Sequence, residues 1–194
     1  TFDSTKASLS TMLTEICEGK IQLPDFQRGW VWDDDHIRDL LVSIARSFPV
    51  GAVMLLETGG DVHFQTRPIE GLERTAARDV PPEKLILDGQ QRLTTLTQAL
   101  AITSPVHTRT SKGKKIKRHY YFNIRHAIDQ PHDLDSAVIA VDDNRQLRTN
   151  FGRDIELDLS MPELECEQLH FPCDQTMDSD KWEETLHKVA PDDF

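Results

Sequence analysis

The stretch Leu87-Asp88-Gly89-Gln90-Gln91-Arg92-Leu93 joins a strand pattern to a helix pattern. The run Lys84-Leu85-Ile86-Leu87 that leads into it is short and apolar, which is typical of a buried strand. The residues from Gln90 to Ile102 that follow it are typical of a helix. The stretch therefore predicts a strand, a tight Asp-Gly turn and a helix, in that order.

This turn has the chemistry of a phosphate site. The first amides of a helix have no partners inside the helix and lie at the positive end of its dipole. Gly89 would let a ligand approach the backbone, and Arg92 has donors that match a phosphate. Asp88 could hold a metal ion or a ribose hydroxyl, while Gln90 and Gln91 could bind phosphate oxygens or position a water. A plain turn with an Arg92–Asp88 pair explains the same residues without a ligand, and the chain has no GxxxxGK[ST] loop.

A second concentration of chemistry is Pro24-Asp25-Phe26-Gln27-Arg28-Gly29-Trp30-Val31-Trp32. One interpretation is a packed corner in which Phe26 and Trp32 anchor a loop and Arg28 pairs with an aspartate. The other is an aromatic wall whose Gln27 and Arg28 face a ligand or a nucleic acid. Residue types alone leave both interpretations open.

Hydrophobic spacing gives the remaining elements. Helices are predicted at Ser4 to Gly19, Asp33 to Ile44 and Trp182 to Val189. Strands are predicted at Ile21 to Pro24, Ala52 to Leu56, Val62 to Phe64, His119 to Ile124 and Ala137 to Val141, with the second of these buried. We expect an α/β (α+β) domain over residues 1–160, with a small mixed sheet and helices packed on it. Residues 161–194 should then connect into a helical region, which the end at Phe194 truncates.

The bulk properties indicate a soluble cytoplasmic protein. No apolar stretch approaches the roughly 20 residues that span a bilayer, and the start has no signal-peptide pattern. Three widely spaced cysteines favour a reducing compartment. The net charge of -11 argues against coating of nucleic acid by bulk electrostatics. A local basic stretch over residues 112–119 is either a solvated hairpin tip or a contact for a phosphate backbone.

Together, the two motifs resemble the N-terminal domain of GmrSD-type restriction factors, in the ParB/sulfiredoxin-like superfamily. The resemblance rests on Ile21–Arg28, Trp32, Pro49-Val50-Gly51 and Leu87–Leu96, and it covers roughly residues 5 to 160. Within this group the chain is similar to the SspE type of effector, which acts with DNA phosphorothioate modification. Sulfiredoxins have a nucleophilic cysteine where Gln90 stands here. A glutamine cannot be that nucleophile, so sulfiredoxin chemistry is excluded.

The resemblance implies hydrolysis of a nucleoside triphosphate, often GTP, that phosphorothioate-modified DNA stimulates. The catalytic residues it implies are Asp88, Gln90, Gln91 and Arg92, and Asp88 would also hold Mg²⁺. The nucleotide-binding residues are Gly89, Arg92, Arg28 and Gln27. A softer, less hydrated sulfur should prefer an apolar wall beside a donor. On that ground we assign DNA sensing to Phe26, Gln27, Arg28, Trp30 and Trp32, and the basic stretch adds Lys114 and Lys115.

Full-length relatives of this kind carry a C-terminal HNH nuclease domain, and no such pattern occurs in these residues. The expected role is therefore sensing and hydrolysis, without cleavage of DNA. Two alternatives stay open at this point: a DNA-binding module without catalysis, and an interaction scaffold whose Asp-Gly-Gln-Gln-Arg turn is structural. The preferred nucleotide, the oligomeric state and whether nucleotide and DNA share one pocket are also open.

Overall fold

A computed structural model describes residues 6–60 and 64–190. The α-helices of these residues are α1 (Leu9–Cys17), α2 (Asp34–Ala45), α3 (Gln90–Leu100), α4 (Ile124–Asp129), α5 (Leu134–Ala137), α6 (Pro162–Glu167) and α7 (Asp180–Val189). The strands are β1 (Ile21–Pro24), β2 (Met54–Glu57), β3 (Thr66–Arg67), β4 (Lys84–Asp88), β5 (Val106–Arg109), β6 (Lys115–Asn123), β7 (Val138–Val141), β8 (Gln146–Thr149), β9 (Asp154–Asp158) and β10 (His170–Pro172). This mixture of helices and small sheets confirms the α+β class.

The chain forms two compact units. The first unit comprises Thr1–Trp30 and Gly51–Thr97, and the second comprises Val31–Val50 and Gln98–Phe194. The division of the chain at about residue 160 stays a prediction.

The first unit is built on a four-stranded sheet of order β2-β4-β1-β3. Strands β1 and β4 are parallel, with Ile21 opposite Lys84 and Gln22 opposite Leu85, and the outer pairings are antiparallel. Parallel neighbours end at the same edge of a sheet. The loop after β1 and the turn after β4, which are the two sequence motifs, therefore leave the sheet at one edge.

Helix α1 begins at Leu9, later than predicted, since residues 6–8 are not helical. The Ser8 side chain caps its start by accepting from the Thr11 amide, and Leu13 and Ile16 are buried. Its end is fixed by Gly19, which has a φ of +81° as a C′ residue should. A side chain at Gly19 would also overlap the backbone of Ala77, so this chain reversal requires glycine.

The expectation of a buried strand at Ala52 to Leu56 is wrong. Strand β2 begins at Met54 and is an edge strand, where Met54 is 47% and Leu56 38% exposed. A short apolar run fits a strand on the edge of a sheet as well as one in its middle, so periodicity could not separate the two. Residues 161–194, which were expected to connect into a helical region, begin with helix α6 at Pro162. Residues 62 and 63 of the expected short strand lie outside the described residues, and Phe64 is not in a strand.

The second unit is organised around the long strand β6. Strand β5 pairs with its first half, β7 with its second half, and β10 with its end, all antiparallel. Strands β8 and β9 form a separate hairpin. One core cluster contains Cys166, Leu169, Trp182 and Leu186, and another contains Tyr121, Val141 and Leu159. Helix α2 begins with Asp33 as its N-cap, as predicted, and Ile37, Leu40 and Leu41 are buried.

Candidate functional site

The two motifs meet at the carboxyl edge of the first unit's sheet. The loop that follows β1 reaches across to β4 through Gln27. Its side-chain amide donates to the carbonyl oxygen of Ile86 at 2.6 Å and to that of Leu87 at 3.1 Å. Gln27 therefore fastens the first motif to the strand that leads into the second.

Helix α3 reaches back to the same loop through its first two residues. The Gln90 side-chain amide donates to the Arg28 carbonyl oxygen at 2.6 Å, and the Gln91 amide donates to that of Gly29 at 3.3 Å. Gln90 is buried, at 8% exposure. The glutamines of the two motifs thus connect the loop to its neighbours. Gln27 of the loop donates to β4, and Gln90 and Gln91 of α3 donate to the loop. Each of these side-chain amides donates to a backbone carbonyl.

Trp30 adds a third connection between the loop and α3. Its indole N–H donates to the Thr95 hydroxyl at 3.0 Å, and its backbone amide donates to Glu70 Oε1 at 3.0 Å. Arg67 pairs with the same Glu70 oxygen at 3.1 Å and donates to the Gln27 carbonyl at 3.3 Å. Sequence reasoning missed Arg67 and Glu70, since no motif or spacing marks them.

The Arg92 guanidinium is held between two glycines. Its Nη2 donates to the Ala52 carbonyl at 2.7 Å and lies 3.7 Å from Asp88 Oδ2. A Cβ at Gly51 would overlap Arg92 Nη1, and a Cβ at Gly89 would lie 3.5 Å from Nη2. Both glycines have positive φ, +94° at Gly51 and +89° at Gly89. The Asp88 side chain is 75% exposed beside this arginine.

Gly51 and Ala52 were absent from the residues expected at the site. The available signal was the segment Pro49-Val50-Gly51, which contributes to the family resemblance without an assigned role. In the structure, Gly51 of this segment leaves space for the Arg92 guanidinium.

Phe26 and Arg28 are among the exposed side chains of the first motif. Phe26 is 69% exposed and makes an edge-to-face contact with Phe64, with ring centroids 5.8 Å apart. Arg28 is exposed, and within the described residues its guanidinium makes no hydrogen bond or ion pair. Neither residue therefore behaves as an internal anchor of a packed corner. The first unit therefore exposes the Phe26–Phe64 pair and the Arg28 cation. Phe26 and Arg28 lie on the loop that Gln27 and Gln90 connect to β4 and α3.

The remaining residues expected to sense DNA belong to the second unit. The Trp32 ring lies 5.8 Å from the His36 ring, and the Trp32 carbonyl accepts from the Thr108 hydroxyl at 2.9 Å. Lys114 and Lys115 lie at the turn between β5 and β6 and are exposed. The expected DNA-sensing set is thus divided between the two units.

A buried polar cluster in the second unit has no counterpart in the sequence analysis. Tyr121 donates to Glu165 Oε1 at 2.7 Å, and Arg145 bonds the Tyr121 hydroxyl, Glu165 and Asp174. Burial raises the pKa of Glu165 to about 7, although the hydrogen bond from Tyr121 and the charge of Arg145 act in the opposite direction. Burial likewise raises the pKa of Tyr121 above its ordinary value. Because these residues are far apart in sequence, only the fold shows that they meet.

The described residues contain no group of three or more histidines, cysteines, aspartates or glutamates that could hold a metal ion. Any cation at Asp88 would therefore need oxygens of a ligand or of water in addition to protein groups. None of the helices in residues 6–60 and 64–190 is long and apolar enough to cross a membrane.

Comparison with known proteins supports the resemblance of the motifs. The family described as the GmrSD restriction endonuclease, N-terminal domain, matches residues 9–185. A relative from Methanocaldococcus jannaschii, described as an uncharacterized protein, is 27% identical over 194 residues. That alignment covers 96% of this chain and 32% of the relative, so the chain spans about a third of the relative's length. No solved structure matches the chain.

Proposed function

Because the chain belongs to the family of GmrSD restriction endonuclease N-terminal domains, we propose that it is the nucleotide-hydrolysing and DNA-sensing domain of a restriction factor. The reaction is hydrolysis of a nucleoside triphosphate, GTP in the first instance. Water attacks the γ-phosphorus, the bond to the β–γ bridging oxygen breaks, and nucleoside diphosphate and inorganic phosphate leave with release of a proton. Phosphorothioate-modified DNA stimulates this reaction, as in the SspE type.

The position of Arg92 is the observation that carries the proposal. Its guanidinium stands at the start of α3, bonded to the Ala52 carbonyl, in space that Gly51 leaves open. A helix start provides amides and a positive dipole end, and an arginine fork beside it matches phosphate oxygens. A pre-positioned cation of this kind stabilises the charge that develops in phosphoryl transfer. Gly89 permits the phosphates to approach the turn.

The glutamines support this site by positioning it. Gln27 and Gln90 donate to backbone carbonyls at 2.6 Å, which fixes the loop of Arg28 against the turn of Arg92. Gln91 makes the longer bond, 3.3 Å, and is less deeply buried. Of the two glutamines at the helix start, Gln91 is therefore the better candidate to orient the attacking water. To do so, its side chain would break the hydrogen bond to the Gly29 carbonyl.

Mg²⁺ fits this site as an ion that is shared with the nucleotide. Asp88 is exposed at the end of β4, and one carboxylate with phosphate oxygens and water is an ordinary magnesium ligand set. When bound, the ion would neutralise phosphate charge. Asp88 would hold it, and Arg92 would keep the carboxylate turned toward the phosphates.

DNA sensing is assigned to the exposed part of the first motif. Phe26 presents an apolar ring beside the Arg28 cation on the same loop, which suits a weakly hydrated sulfur next to a phosphate charge. Gln27 and Trp30 hold that loop to β4 and α3. A ligand that shifts the loop would therefore act on the helix start as well, which provides a route from DNA to hydrolysis. Trp32, Lys114 and Lys115 are proposed as further contacts from the second unit.

Turnover of GTP by the 194-residue chain, measured as phosphate release, tests the proposal. We expect Arg92→Ala to lower the rate by at least about a hundredfold, as removal of a transition-state donor does. Gln91→Ala should lower it by about tenfold. Arg74→Ala, an exposed arginine of the same unit, should leave the rate unchanged. Wild-type rates in both Arg92→Ala and Gln91→Ala would remove the proposal.

A DNA-binding module without catalysis is the second candidate. This candidate is favoured because the side-chain amides of Gln27, Gln90 and Gln91 all donate to backbone carbonyls. Such bonds suit a scaffold that holds the loop and presents Arg28 to DNA. Absence of turnover by the wild-type chain, with Mg²⁺ and modified DNA present, would select it. In either case we propose that the full-length protein contains a C-terminal nuclease domain that this domain controls.

A further inference from the structure

The hairpin of β5 and β6 concentrates positive charge in an acidic protein. Residues 89–128 contain no aspartate or glutamate but eight lysines and arginines, whereas the whole chain carries a net charge of -11. Six of those eight lie between Arg109 and Arg118. The acidic excess therefore lies outside this segment, and the hairpin is a local reversal of charge.

The strand register collects these charges on one face. Arg109 lies opposite Lys115, and His107 lies opposite Lys117. Directly opposed side chains share a face of the sheet, and all four are exposed. Like charges in facing positions destabilise a hairpin. Within the described residues, Lys117 on this face forms an ion pair with Asp143 at 3.6 Å, and both side chains are about half exposed.

The opposite face holds the hairpin in place. Val106 and Thr108 are buried there, and the Thr108 hydroxyl donates to the Trp32 carbonyl at 2.9 Å. Arg109 reaches over to donate to the Val31 carbonyl. On the same side as Val106, Arg118 lies 3.9 Å from an Asp34 oxygen. The hairpin is thus anchored to its unit and keeps its basic face outward.

The tip is closed by its own hydrogen bonds. The Thr110 amide donates to the Lys114 carbonyl at 2.9 Å, and the Gly113 amide donates to the Thr110 carbonyl at 2.8 Å. The Lys114 amide donates to the Thr110 hydroxyl at 3.2 Å. Because this backbone is already ordered, a ligand at the tip would have little loop entropy to overcome.

We propose that the basic face formed by Arg109, Lys115 and Lys117, together with the exposed Lys112 and Lys114 of the hairpin tip, binds the phosphate backbone of duplex DNA irrespective of sequence and of sulfur modification. The partner follows from the restriction family and so rests on the proposed function, which includes Lys114 and Lys115 among the DNA contacts; the hairpin is assigned a role in affinity that does not depend on sulfur. Lysines act as point charges, and phosphate contacts position a protein without reading bases. A two-stranded ribbon is also narrow enough to enter the major groove. The face supplies affinity and leaves discrimination to the Phe26–Arg28 loop.

The test is the salt dependence of binding to an unmodified duplex, measured by fluorescence anisotropy without nucleotide. Each phosphate contact adds about 0.9 to the slope of log K against log salt. Lys114→Ala with Lys115→Ala should therefore weaken binding and reduce that slope by about 1.8. Lys181→Ala with Lys188→Ala, two exposed lysines of α7, is the matched control and should change neither quantity.

The same variants are then measured on a phosphorothioate duplex of the same sequence. The hairpin variant should lose affinity for both duplexes by the same factor, so that the preference for sulfur is kept. An unchanged salt slope, or a loss confined to modified DNA, would overturn the proposal. Binding of single-stranded RNA in place of duplex DNA, with the same loss in the variant, would overturn the choice of partner. Nucleotide hydrolysis does not enter these measurements, so a failure of the hydrolysis proposal remains distinguishable.

Discussion

Gly51 leaves the space that the Arg92 guanidinium occupies, since a Cβ at Gly51 would overlap Arg92 Nη1. Gly51→Ala should therefore displace the arginine from the Ala52 carbonyl. The far end of an arginine can move, so the overlap itself should cost little stability. The positive φ of Gly51 should cost about 1–2 kcal/mol. We expect GTP turnover to fall by about a hundredfold, close to the loss in Arg92→Ala.

Gly59→Ala is the matched control for this substitution. Gly59 also has a positive φ, +103°, but a Cβ there meets nothing within 4 Å. It carries the backbone strain without the overlap, so its melting temperature should fall as in Gly51→Ala while turnover is retained. Equal turnover in the two variants would show that the space at Gly51 does not matter for Arg92.

The bond from Gln90 to the Arg28 carbonyl makes a prediction about stability as well as rate. Gln90→Ala removes a buried donor, so we expect a loss of about 1–3 kcal/mol in the free energy of unfolding by urea. Turnover should fall together with it, because the loop and the helix start lose their register. Gln91→Ala, whose bond is 3.3 Å long, should lose less than about 1 kcal/mol. A fall in turnover at unchanged stability in Gln90→Ala would instead indicate that Gln90 orients water.

These contacts also mark the limit of what the sequence could predict. Local sequence patterns predicted the strand, turn and helix at Lys84–Leu100 and the helix cap at Asp33. These elements depend on residues that are neighbours in the chain, so patterns of spacing and capping reveal them. The parallel pairing of β1 with β4 is a tertiary fact, and it brings the two motifs to one edge. The contact between Arg67 and the Gln27 carbonyl joins residues 40 positions apart, so no spacing rule could reveal it.

The sequence and the resemblance single out residues of the candidate site but do not predict how those residues are arranged. The resemblance identified Arg92 and Gln90, yet it did not say that the Gln90 amide would bond a backbone carbonyl. The misread strand at Ala52 has the same cause, since hydrophobicity does not tell an edge from a centre. The buried ion pair between Glu165 and Arg145 could not be predicted, because neither composition nor a motif indicates it.

The raised pKa of Glu165, about 7 against an ordinary 4.5, predicts how stability changes with pH. The folded protein binds this proton more tightly than the unfolded chain. The stabilisation is therefore complete below pH 4.5 and is lost as the pH rises through 7. The shift corresponds to about 3 kcal/mol. The groups that face Glu165 are Tyr121, Arg145 and Asp174.

Glu165→Gln mimics the protonated acid and should remove this dependence. Relative to wild type, the variant should be equally stable at pH 4 and more stable at pH 8, as measured by urea denaturation across that range. Glu163→Gln, an exposed residue of the same helix, should reproduce the wild-type profile. If the difference between Glu165→Gln and wild type did not change with pH, Glu165 would have an ordinary pKa.

The exposed guanidinium of Arg28 makes the last prediction, which concerns discrimination between DNAs. Arg28→Ala should change the free energy of unfolding by less than about 0.5 kcal/mol, because the side chain is on the surface. Loss of a charged donor to the modified phosphate should reduce the preference for phosphorothioate over unmodified duplex by about tenfold. Competition between two duplexes of one sequence, with and without sulfur, measures that ratio. Arg74→Ala should keep the wild-type ratio, and an unchanged ratio in Arg28→Ala would remove Arg28 from the sensing site. Because Arg28 lies on the loop whose carbonyl Gln90 binds, stimulation of GTP turnover by modified DNA should weaken in the same variant.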